Sequence, residues 1–142
     1  MSLCRHQALI PGRLEKVWQL VGDPGRHPEW WPRVIEVRGL EFAEGDKYRQ
    51  ITAIPTGQHE TTLLVERLDN LREIHTRCLD TGTYAHWRLT EARDDTFVDV
   101  EMGIDPVGLR YRLLDAVGGR RYFRRWLEES LEGLRSAVDR AR

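Results

Sequence analysis

Val98-Asp99-Val100-Glu101-Met102-Gly103-Ile104 alternates without a break, with Val98, Val100, Met102 and Ile104 on one side and Asp99, Glu101 and Gly103 on the other. Period two is the repeat of a β-strand, whose successive side chains point to opposite faces. An apolar row on one side only predicts an antiparallel sheet with one face covered and the other wet. Some other element must supply the cover.

That element is legible near the C-terminus. Phe123, Leu127, Leu131, Leu134, Val138 and Ala141 recur at helical spacing and predict a long final helix, opening near Gly118-Gly119. A second ridge of the same helix, Tyr122, Trp126, Ser130, Gly133 and Ala137, tapers from large to small. Glycine inside a helix costs roughly 1 kcal/mol against alanine, so Gly133 calls for a reason; close approach of helix to sheet is the expected one, and free space for a ligand is the alternative.

Upstream, short runs of strand character are separated by turn signals. Val34 to Val37 precedes Ala43-Glu44-Gly45-Asp46, and Tyr48 to Ile54 precedes Pro55-Thr56-Gly57. Thr61 to Leu68 ends at Asp69-Asn70, Glu73 to Leu79 at Asp80-Thr81-Gly82, and Tyr84 to Thr90 at Arg93-Asp94-Asp95. Strands at about 8–12 residue spacing predict a meander. At the N-terminus, Cys4, His6, Ala8 and Ile10 form a first strand closed by Pro11-Gly12. Leu14, Val17, Trp18 and Val21 then make a short amphipathic helix, and Asp23-Pro24 caps and opens a second that runs into Trp30-Trp31-Pro32. The predicted class is α+β: a curved antiparallel β-sheet of about seven strands wrapped on a long C-terminal helix, with two short helices after strand 1, in one domain spanning residues 1–142.

The 142 residues are 40% hydrophobic and 32% charged, a globular balance. A chain of this size buries roughly 68–70% of its unfolded surface, enough for a core. A formal net charge of −1 provides no global basic field, so no nucleic acid partner is expected. No apolar run approaches the ~20 residues of a spanning helix, and Met-Ser-Leu-Cys-Arg-His-Gln carries no signal core. A cytoplasmic location follows as the expectation, with Cys4 and Cys78 as reduced thiols.

The residues that carry chemistry elsewhere are poorly placed for it here. His75 and Cys78 lie three apart on a strand, hence on opposite faces, and His86 is out of phase with Trp87, on the solvent side. No metal site is expected, and no cofactor. There is no nucleophile elbow and no phosphate-cradling glycine loop. Ser130 has no base near it in sequence, Cys78 reads as packing, and Asp99 and Glu101 read as solvated. The exception is a concentration of cations: Arg110, Arg112, Arg120, Arg121, Arg124 and Arg125, with only Asp115 among them. Cations at a helix N-terminus oppose its dipole, at about 0.3–1 kcal/mol each when exposed. Contacts of Arg124 with Glu128 and of Arg125 with Glu129 offset part of this. The rest is either a solvated basic face or an anion at Arg121 and Arg125: an acidic ligand group, an acidic membrane surface touched transiently, or an acidic partner.

The order strand, helix, helix, six strands, long helix is that of the helix-grip fold. Ile10-Pro11, Glu15-Lys16-Val17-Trp18, Asp23-Pro24 and Pro28-Glu29-Trp30-Trp31-Pro32 resemble the opening of START-like (SRPBCC superfamily) proteins of the polyketide cyclase/dehydrase and lipid-transport family. Gly82 to Val100, with Trp87-Arg88-Leu89 before an Asp-Asp turn, resembles that family's late hairpin and its coenzyme Q-binding relatives. Gly12-Arg13-Leu14 departs from the small and proline residues common at the first helix start.

The resemblance implies an internal cavity between sheet and helix, bordered at its mouth by Trp30 and Trp31. Trp87, Val100 and Met102 would contribute from the apolar sheet face, and Tyr122 and Trp126 from the helix. Tyr48, Gln50 and Thr52 share one strand face and, if it points inward, supply polar groups; His59 and Thr61, in phase with Leu63 and Val65, offer the same. Three functions remain open: binding or transport of a small hydrophobic ligand (a lipid, quinone or polyketide-like molecule), a polyketide aromatase/cyclase-like enzyme, or a non-catalytic interaction or membrane-associated module. Fold does not decide among them.

Overall fold

A computed structural model describes residues 2–105 and 120–141. Strands β1 (Ser2–Ile10), β2 (Val34–Arg38), β3 (Lys47–Ile54), β4 (Gly57–Asp69), β5 (Glu73–Cys78), β6 (Thr83–Ala92) and β7 (Asp95–Ile104) form one sheet in the order β1-β7-β6-β5-β4-β3-β2, every pair antiparallel. Helix α1 (Leu14–Val21), a 3-10 turn (Pro24–Arg26) and the single-turn α2 (His27–Trp30) connect β1 to β2. The final helix, α3, is described over Arg120–Arg140. This is the helix-grip arrangement. The Gly118-Gly119 helix start, Arg110 and Arg112 lie outside the described residues.

The meander closes through β1, which returns to pair with β7 from Ser2↔Ile104 to Ile10↔Thr96. Asp23 does act as a cap, accepting from the Gly25 amide at 3.0 Å, but Pro24 opens a 3-10 turn that passes into only one α-helical turn. Register shifts between Val34 and Glu36 and between Val65 and Arg67 mark bulges, which bend the sheet around its concave face. On that face lie Tyr48 and Gln50 of β3, Thr61, Leu63 and Val65 of β4, Ile74, Thr76 and Cys78 of β5, and Ala85, Trp87 and Leu89 of β6, all buried. The Tyr48 row and the Thr61 row therefore both point inward.

Helix α3 runs along β1 and β7. Leu127, Leu134 and Val138 are completely buried, as are Ile10, Val98 and Val100 facing them. Each such side chain contributes about 1.5–3 kcal/mol by leaving water. Val100 and Met102 sit beneath this helix at 0% and 1% exposure, with no water-sized space against them.

Gly133 serves a close approach, though not to the sheet. A Cβ there would lie 2.3 Å from the backbone oxygen of Trp30 and 3.2 Å from Pro32, so it is the helical corner that α3 touches at this point. A backbone oxygen cannot step aside. Gly133→Ala is expected to destabilise the protein by about 1–3 kcal/mol despite alanine's better helix propensity. An equilibrium denaturation curve showing the variant more stable than wild type would mean the corner shifts freely.

Candidate functional site

Four tryptophans from three separate elements meet on the concave side. Pro28 opens the single turn of α2, and Pro32 biases the preceding residue to extended backbone, as observed for Trp31 at φ −86°, ψ 112°. The chain thus leaves the helix between two adjacent indoles, and Trp30 and Trp31 stack with centroids 5.5 Å apart and planes 8° apart. Trp87 of β6 meets both rings edge-on at 5.2 and 5.4 Å, and Trp126 of α3 lies 5.8 Å from Trp31. These are the favoured offset and T-shaped geometries, worth about 0.5–1.5 kcal/mol per pair beyond area burial.

The indole nitrogens divide into two classes. Trp30 donates to the Leu20 carbonyl at 2.9 Å and Trp126 to the Pro32 carbonyl at 2.8 Å. The nitrogens of Trp31 and Trp87 are buried and have no protein acceptor. His27 packs edge-on against Trp30 and Trp31 at 5.5 and 5.0 Å and is fully buried. Its Nε2 lies 2.9 Å from the Val21 carbonyl, which can only accept, so Nε2 carries the proton and Nδ1 is left bare. Burial pushes its pKa down to about 4, against a smaller opposing effect of that hydrogen bond.

A second group of polar atoms lies along β3. The Gln50 amide nitrogen donates to the Thr52 hydroxyl at 3.0 Å, leaving the Gln50 carbonyl oxygen buried without a donor. The Tyr48 hydroxyl is equally enclosed, with Phe42 edge-on to its ring at 5.4 Å. Burial pushes its pKa up; Thr76 opposes this in part but makes no hydrogen bond of normal geometry with it. Tyr48 is thus a neutral hydroxyl at any physiological pH.

Between the β3–β4 turn and the first described turns of α3 a cleft of about 510 Å³ opens to solvent, lined by Arg33, Ala53, Ile54, Pro55, Arg121, Tyr122 and Arg125. Arg33 adopts a left-handed backbone, φ 74°, which turns its guanidinium over the Tyr122 ring at 4.8 Å and the Trp126 ring at 5.9 Å. One of its terminal nitrogens donates to Glu129 at 3.2 Å, while the other is buried and unpartnered. Arg125 lies 3.5 Å from the same carboxylate. Tyr122 is half-buried here, outside the indole cluster proper, although its ring reaches to 6.1 Å from that of Trp126.

The structure therefore joins Trp30, Trp31, Trp87 and Trp126 in one wall and puts Tyr122, Arg121 and Arg125 at its outer edge. Tyr48 and Gln50 line the inner face further along β3, and Val100 and Met102 lie packed under α3. Arg33 and His27 carried no sequence signal: a left-handed arginine and a buried histidine look like any others until the corner is folded. Arg120 and Arg124 do not line the cleft. Glu128, expected against Arg124, approaches His6 at 3.8 Å.

On the outer face, His75 and His86 stack at 3.9 Å, and burial lowers the pKa of both. Burial tends to raise Glu73, but Arg88 and Arg67 outweigh it and hold that carboxyl below the usual range. Asp99 accepts a two-point contact from Arg5 at 3.0 and 2.6 Å, so it is paired rather than simply solvated. Ser130 bonds back to the Trp126 carbonyl at 2.6 Å, a local helix contact without a base. Among the described residues no three His, Cys, Asp or Glu side chains converge as a metal would require. No helix among the described residues is long and apolar enough to cross a membrane.

A family model described as polyketide cyclase / dehydrase and lipid transport matches residues 4–139. The chain belongs to that family. Among curated proteins none matches it. A START superfamily protein from Mycobacterium smegmatis superposes with a TM-score of 0.82 at 13% identity, covering 100% of both chains. The protein TTHA0849 from Thermus thermophilus gives 0.78 at 15% identity, with 98% of each chain covered. The di-domain ARO/CYC StfQ of the steffimycin biosynthetic pathway gives 0.69 at 20% identity, with 96% of this chain matching 48% of that one. At such identities these likenesses establish the START-like fold of the family member and leave its ligand to its own residues.

Proposed function

We propose that this family member is a cytoplasmic binder or carrier of a small, largely apolar, flat or unsaturated molecule, held on the concave face and reached through the cleft beside α3. The observation that carries this reading is the set of unpartnered buried polar atoms: the Tyr48 hydroxyl, the Gln50 carbonyl and the indole nitrogens of Trp31 and Trp87. Leaving such a group unpaired costs about 1–3 kcal/mol, and folded proteins seldom tolerate several together. A ligand with a few polar atoms on an apolar frame satisfies them, and stacked indoles suit a flat one. Ligand contact at Val100 and Met102 requires α3 to lift.

Tyr48 favours a second reading, an aromatase/cyclase-like enzyme acting on a poly-β-ketone chain. Because burial keeps its hydroxyl protonated, it donates to a ketone oxygen and orients the chain; it does not serve as a base. Native mass spectrometry of protein purified from its own host separates the two. A co-purifying small molecule, released on denaturation, is expected. An empty protein that cyclises a poly-β-ketone substrate supports the enzyme, and an empty, inactive one leaves the interaction module.

A further inference from the structure

We infer that the cleft formed by Arg33, Arg121, Arg125 and Tyr122 is a head-group site for a carboxylate or phosphate joined to an apolar body. This deepens the proposed function by giving the apolar ligand an anionic end.

Three guanidinium groups face this cleft and share one carboxylate, Glu129, which Arg33 and Arg125 both approach. Arg121 has no ion pair among the described residues. The local excess is thus two positive charges, in a chain whose formal net charge is −1. Exposed arginines scattered over a surface need no counterion, but Arg33 is not of that kind. Its side chain is 23% exposed, one terminal nitrogen is buried without an acceptor, and its backbone sits in the left-handed region that non-glycine residues seldom adopt. The guanidinium lies over Tyr122 at the cleft edge, and its unpartnered nitrogen, buried in this arrangement, meets an anion once the side chain swings outward. A planar fork with an unused donor matches the paired oxygens of a carboxylate or phosphate.

The rest of the lining is apolar. Ala53, Ile54 and Pro55 form one wall and the Tyr122 ring another. Ile54 stands in phase with Thr52, Gln50 and Tyr48 on β3, so that wall leads directly to the row bearing the unpartnered Gln50 and Tyr48 atoms. A ligand seated with its anion at the arginines would lay its apolar body along this wall, and reaching the buried Gln50 and Tyr48 atoms requires the side chains between to part. Arg120 and Arg124 are excluded from this assignment because they do not line the cleft.

The test uses dodecyl phosphate, below its micelle concentration, against dodecanol, with binding followed by tryptophan fluorescence, since Trp126 lies behind Arg33. Wild type is expected to bind the phosphate about tenfold or more tighter than the alcohol, with an advantage that shrinks as salt rises. In Arg121→Gln/Arg125→Gln that advantage should disappear while dodecanol binding stays. Arg124→Gln/Arg140→Gln, which removes the same charge from the same helix outside the cleft, should keep it. Equal affinity for alcohol and phosphate in wild type, or equal losses in both double variants, overturns the inference and leaves the apolar-ligand reading standing. Failure of wild type to bind either compound also overturns the head-group site, while the apolar-ligand reading is decided separately by the co-purifying molecule. Vesicles containing phosphatidic acid then identify the source: sedimentation with them that depends on Arg121 and Arg125 assigns the head group to a membrane lipid, and binding of the soluble amphiphile alone assigns it to a free molecule.

Discussion

Trp87→Ala is expected to cost about 3–5 kcal/mol of stability, seen as a large fall in the denaturation midpoint. The residue is 1% exposed and its ring abuts both Trp30 and Trp31 edge-on. Truncation leaves a void bounded by two stacked indoles that are themselves pinned, Trp30 by its bond to Leu20 and Trp31 by its neighbours. A site so constrained collapses poorly, which places the loss toward the upper end of the range. Trp87→Phe separates packing from recognition. Its ring preserves much of the edge contact, and the nitrogen it removes has no protein acceptor to lose. Stability should therefore fall by less than half as much, while affinity for a ligand that pairs with that nitrogen drops in full. A Trp87→Ala variant melting like wild type would show that the indole cluster is not structural.

The residues that set the fold were readable because their signals are local. Alternation from Val98 to Ile104 and helical spacing from Phe123 to Val138 each report one face of one element, and the covering of the first by the second follows from burial alone. The candidate site was half readable for the same reason. Trp87 announces its inward direction through strand phase, whereas Tyr48 and Gln50 had no apolar row beside them to fix theirs; only pairing with Leu63 and Thr61 does so. Arg33 and Gly133 were opaque in a different way. The role of Arg33 depends on a left-handed backbone and on Glu129 and Tyr122, some ninety residues away. Gly133 was expected to approach the sheet and instead meets the Trp30 carbonyl, a contact that exists only once α3 crosses the corner. Spacing within an element is encoded in the chain; distance between elements is a product of the packed whole.

Acidification from pH 6.5 to 4 is expected to remove about 3 kcal/mol of stability through His27 alone. The sign depends on which state binds the proton. Unfolded, the imidazole titrates at its ordinary value of 6.5; folded, at about 4, because burial penalises the charged ring. Between these values the unfolded chain takes up the proton and the native one does not, so stability is complete above 6.5 and declines as pH falls toward 4. The geometry explains why nothing compensates: the incoming proton would sit on Nδ1, which faces no acceptor, between two tryptophan rings. His75 and His86, also lowered by burial, add a loss of the same sign over the same window. Carboxylates held low by arginine partners, Glu29, Glu73 and Asp99, start to lose their contribution only below about pH 5, so the histidine slope is read above that pH. Urea denaturation at a series of pH values between 7.5 and 4 measures the slope. His27→Gln retains a donor for the Val21 carbonyl but does not titrate, so it should be less stable than wild type near neutrality and lose much less on acidification. If the variant and wild type run parallel across the whole window, the acid sensitivity belongs to the outer-face histidines, and His27 is protonated without cost.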